Sequence, residues 1–165
     1  MNADAFRHVY NYHFAENRKI WDKHIMSLSQ AQFLQELDYS VGSVRNQIVH
    51  LMSVDMVWFK DLRGVENLGF LDPNEYDERD KIRARWDEIE ANMRAYLAIL
   101  TDDMLFTKPL EGEDKDLIVW QVLLQVINHG TDHRAQLLRQ LHDLGVETQW
   151  QDYVFYAYAH TEDFA

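Results

Sequence analysis

The chain has 165 residues, 47% of them hydrophobic and 13% aromatic, enough for a core in one domain spanning 1–165 and too apolar for disorder. Sixteen Lys and Arg face 28 Asp and Glu, a formal net charge of -12, and no basic stripe offsets it, which excludes a nucleic-acid partner. With no cysteine there is neither disulfide nor thiolate metal ligand, as suits a reducing compartment.

Met1 to His8 lack the basic and apolar regions of a secretion signal. No run approaches the roughly 18 apolar residues that cross a bilayer. The expectation is a cytoplasmic protein without a membrane partner.

Two prolines and six glycines in this length imply long helices. The spacing predicts a first helix from about Ala3 to Met26, with Phe6, Tyr10, His13, Asn17, Ile20, Trp21 and His24 on one face. Ser29 caps a short helix over Gln30 to Leu37, and Gly42 then breaks the chain. Ser43 caps a second long helix, Val44 to Leu62, apolar nearly all round and so buried on more than one side, with His50 in its middle.

A loop over 63–75 leads to a third, amphipathic helix from Asn74 to Leu100, with Ile82, Trp86, Ile89, Met93 and Leu100 facing inward. A fourth runs from Asp116 to Leu144 and stops at Gly145. Each long helix carries one tryptophan, and an aromatic tail, Trp150 to Tyr158, should pack over one end. Four antiparallel helices around one core, an all-α four-helix bundle, is the expected fold.

His129 and His133 stand four apart, so their imidazoles share a helix face about one turn apart. With His50 from a facing helix they would give three nitrogens and an open coordination position. The residues alone leave a second reading open, in which these are hydrogen-bonded buried polar groups. Gly130 stands where a zinc protease needs the glutamate of His-Glu-x-x-His. Gln47 and Val126, three before His50 and His129, exclude the Glu-x-x-His pairs of a di-iron bundle. A mononuclear ion such as zinc or nickel fits the donor set. Asp55, Asp132 and Gln136 are nearby polar residues, read as surface or inter-helix contacts. His13 and Asn17 are candidates to line a pocket beside the ion, although a satisfied core histidine is the commoner role. His8, His142 and His160 belong to no constellation and default to the surface.

Tyr12 to Arg18, Ser43 to His50, and His129-Gly130-Thr131-Asp132-His133-Arg134-Ala135-Gln136 together resemble the DinB-like proteins, which include the YfiT-like group. The last segment is similar to the family's His-x-x-x-His-Arg-Gly-Gln signature, with Ala135 in place of the glycine, a change bearing on close helix packing. The resemblance covers nearly the whole chain. It implies an up-down-down-up bundle, often a homodimer, with a divalent metal on His50, His129 and His133. It further implies thiol chemistry of the bacillithiol- or mycothiol-dependent kind, a thiol S-transferase acting on small electrophiles. A non-catalytic metal- or ligand-binding stress-response protein is the alternative.

Overall fold

The structure is a computed structural model that describes residues 1–161; the last residues of the expected domain, 162–165, lie outside the described part. All regular structure among the described residues is helical. The six α-helices are α1 (Ala3–Lys23), α2 (Gln30–Leu34), α3 (Val44–Leu62), α4 (Arg79–Ile99), α5 (Val119–Asp143) and α6 (Tyr153–Ala159).

Local chemistry sets most of the ends. Asn2 Oδ1 accepts from the Ala5 amide, Ser43 Oγ from that of Asn46, and Ser29 exchanges bonds with Gln32 in a capping box. Gly145, at φ 81°, closes α5 because the following Val146 amide must turn back to the Leu141 carbonyl.

Four predicted boundaries shift by three residues or more. The first helix ends at Lys23 rather than Met26, with a separate 3-10 turn over Ile25–Ser27 after it. Residues 73–75 form a separate 3-10 turn, capped by Asp72 at the Asn74 amide, so α4 starts at Arg79 rather than Asn74. The Val119 amide bonds the Thr107 carbonyl, which pins the entry to α5 there instead of at Asp116. Finally, α2 ends at Leu34, not Leu37.

Each of the four long helices packs on two others: α3 lies against α4 and α5, and so does α1. Tyr10, Phe14, Ile48, Met52, Phe59, Ile82, Met93, Val122 and Leu137 fill the space between them. As the all-round apolar pattern implies, α3 is buried continuously from Leu51 to Met56. Tyr10 places its hydroxyl on the Leu123 carbonyl at 3.0 Å, satisfying a buried polar group across the core.

The aromatic tail departs from expectation. It runs along the flank of α1 rather than over an end: Lys23 holds Gln149, Lys19 holds the Trp150 carbonyl, and Tyr12 donates to the Gln151 carbonyl. The helix α6 then covers His8, whose ring meets Tyr153 and Tyr156 edge-on at 5.9 and 5.4 Å. His8, expected at the surface, is therefore 6% exposed. His160 stacks on Tyr156 with ring centroids 3.9 Å apart, while His142 is exposed as expected. Ala135 also faces solvent, so the residue that departs from the family signature does not enter helix packing. No helix among the described residues is long and apolar enough to cross a membrane.

Candidate metal centre

Because α3 and α5 lie side by side, His50 meets His129 and His133 across the contact. Ring centroids stand 5.0 Å apart for His50 and His129, 4.5 Å for His50 and His133, and 4.1 Å for the pair on α5. One nitrogen from each ring falls within 4.8 Å of the other two, and Nε2 of His50 is 3.1 Å from Nε2 of His129. An ion about 2.0–2.1 Å from each nitrogen in tetrahedral geometry would hold them roughly 3.4 Å apart. The donor set therefore fits a divalent ion with small side-chain adjustments. All three rings are half-buried, which leaves a side open to a further ligand.

The rings are kept neutral, the form that binds metal. Burial pushes His129 down to about 4, with the neighbouring His133 and His50 adding to the shift and Asp55 and Asp132 opposing it. His50 is lowered by burial and then by His133; His133 is lowered by burial against a smaller opposing pull from Asp132.

Two residues that the sequence reading did not single out touch the cluster. The Gln47 amide lies 2.6 Å from Nδ1 of His133, and its other end takes a bond from the Ser40 hydroxyl at 2.9 Å. Gln47 stands where a di-iron bundle would carry a glutamate, and its place three before His50 puts it on the same helix face. Phe70, 65% exposed, lies nearly parallel to the His50 ring with centroids 6.3 Å apart. An aromatic residue directly after Gly69 in the loop was the available signal.

His13 and Asn17 were candidates to line a pocket beside the ion, with a satisfied core histidine as the commoner role for His13. The structure places them one layer deeper, His13 at 0% exposed and Asn17 also buried. Nε2 of His13 donates to Asp55 of α3 at 3.3 Å, and Nδ1 accepts from Arg134 of α5 at 3.0 Å. Asn17 accepts from the same guanidinium at 3.2 Å. Arg134, 0% exposed, also donates to Thr131 at 3.1 Å and Gln151 at 3.0 Å, so that all three nitrogens of its planar fork are engaged. These groups close a polar clamp joining α1, α3, α5 and the tail, and they have no open face to a ligand. Asp55 thus serves the clamp, while Asp132 accepts from Gln136 on the outside at 3.0 Å.

Fold and cluster define a class: an all-helical protein with three converging imidazoles at a half-open site. The chain belongs to the DinB family, whose model matches residues 1–163. Among curated proteins none matches it.

Proposed function

We propose that this chain is a divalent-metal-dependent enzyme, a thiol S-transferase acting on small electrophiles, with His50, His129 and His133 as the ligands of zinc or nickel. The convergence of three nitrogens within 4.8 Å carries the metal half of the reading, and the resemblance to the family's thiol-dependent members supports the transferase half. An ion held by His50, His129 and His133 would supply Lewis acidity, which favours a thiol's ionised form at neutral pH. The chain's own part is to present three uncharged nitrogens, hold their rings from behind, and offer the Phe70 face to the apolar part of the electrophile. Having no cysteine, the protein takes its thiol from outside, a low-molecular-weight thiol of the bacillithiol or mycothiol kind. We place it in the cytoplasm as an up-down-down-up bundle and a homodimer, for which the exposed Trp150, Phe155 and Tyr158 offer an apolar face.

Metal analysis of untagged protein tests the first half, with one ion per chain expected. His50→Ala, His129→Ala and His133→Ala should each weaken zinc binding by more than about 100-fold, while His142→Ala, at an exposed position, leaves it unchanged. Equal zinc affinity across all four variants would sink the site. The second half is tested by following loss of free thiol with a panel of electrophiles before and after chelation. Metal-dependent turnover is expected; firm metal binding with no turnover for any thiol would leave a binding protein.

A further inference from the structure

A ring nitrogen that holds a metal has given up its hydrogen, so the proton of a neutral ligand imidazole sits on the opposite nitrogen and needs an acceptor. For His133 the Gln47 amide occupies the Nδ1 side at 2.6 Å, which leaves Nε2 free for an ion. Gln47 is fully buried. Its amide also lies 3.2 Å from the His133 backbone carbonyl and 2.9 Å from the Ser40 hydroxyl. That hydroxyl meets the side-chain oxygen of Gln136, whose amide nitrogen donates to Asp132 at 3.0 Å.

A hydroxyl has one hydrogen, and Ser40 cannot donate it to the amide oxygens of both Gln47 and Gln136. The two ends of an amide have nearly the same shape, and the surrounding protons decide which end faces where. With the Gln47 oxygen toward His133 and its nitrogen toward Ser40, the conflict vanishes. The bonds then run one way: His133 Nδ1–H to Gln47, Gln47 to Ser40, Ser40 to Gln136, Gln136 to Asp132. Each of these four bonds has one donor and one acceptor, and the lone pair of Nε2 stays free. The cost is that the amide oxygen then stands about 3.2 Å from the His133 carbonyl oxygen, acceptor against acceptor, although that carbonyl, inside α5, keeps its helical partner.

Ser40 adds a second observation. Among the described residues it is the one non-glycine with positive φ, 55°, a conformation that L residues seldom adopt. From there its hydroxyl oxygen lies 2.9 Å from the Gln47 amide. We propose that Gln47 is the positioning residue of His133: steadied by Ser40, its amide oxygen fixes the ring and keeps the proton on Nδ1. The proposal rests on the three-histidine reading above.

The test combines zinc affinity, by competition with a chromophoric chelator, and 15N NMR of the histidine side chains in zinc-loaded protein. Gln47→Leu keeps the bulk without an acceptor and should lose about 10- to 100-fold in zinc affinity. Gln47→Glu, which only accepts, should match or exceed the wild type. In the wild type, His133 should show an Nδ1 proton protected from exchange with solvent. Wild-type affinity in Gln47→Leu, or an unprotected Nδ1 proton, overturns the role of Gln47 and leaves the site standing if His133→Ala still abolishes binding. Wild-type affinity in His133→Ala overturns the site, and Gln47 with it. Should Gln47→Leu not fold, the wild-type spectrum decides alone.

Discussion

Gly130 shows how closely the residues behind the site are fitted. A methyl group there would stand 2.5 Å from Cε1 and 2.8 Å from Nδ1 of His13. That ring is bonded at both nitrogens, to Asp55 and to Arg134, so it has little freedom to yield. Alanine is the better helix former by about 1 kcal/mol, but overpacking a rigid site costs about 1–3 kcal/mol. Gly130→Ala should therefore lower stability, read as a shift of the urea midpoint; a stabilised variant would mean that α1 and α5 do not approach as described. Arg134 is a stronger case. Replacing it with Met strips partners from His13, Asn17, Thr131 and Gln151 and leaves Asp55 less compensated. A loss of about 3–5 kcal/mol is expected, with Asp55→Asn recovering part of it in the double variant. Additive losses would show that the two charges do not interact.

At the scale of elements, the segment His129 to Arg134 carries two interleaved stripes. His129 and His133 form one; Gly130 and Arg134, one residue on, form another about 100° round the helix. The first stripe faces the half-open cluster, and the second faces α1 in the core. The first was legible from spacing alone. The second was not, because arginine and glycine give no hydrophobic period, and only the neighbour α1 shows what they meet. The tail teaches the same lesson. Its aromatic content marked it as a packing segment, but its position depends on polar bonds from Lys19, Lys23, Tyr12 and Arg134. Gln151→Ala removes the acceptor of the Arg134 Nε–H and should cost about 1–3 kcal/mol, measured by thermal melting. No change in melting would mean that the tail and the clamp are independent.

For the whole molecule, stability depends on pH through the cluster. His129 ionises near 4 when folded, against 6.5 for a free histidine, and His50 and His133 shift in the same direction. Between those values the unfolded chain carries protons that the folded chain refuses, so stability rises with pH there. Chelator-treated protein should lose stability as pH falls from about 6.5 to about 4, and this contribution should be flat above that window. His129→Gln should show a shallower slope over the same range. An unchanged slope would assign the acid sensitivity to other groups.

The presence of the four long helices, the extent of α3 and the membership of the histidine set followed from the sequence, because period, caps and spacing act within a few turns of one chain; the helix α6 in the aromatic tail did not. The entries to α4 and α5 did not, since they are decided by an Asp72 cap and a distant Thr107 carbonyl. Nor did the fate of His13 and Asn17, which share an inward face with core residues in sequence and become a polar clamp only when Asp55 and Arg134 arrive from two other helices. The sequence by itself determined an acidic, all-helical chain with three histidines able to converge. Only the tertiary structure decided which polar residues stand behind them, because a buried hydrogen bond needs its donor and acceptor brought together from separate helices, and periodicity records one helix at a time.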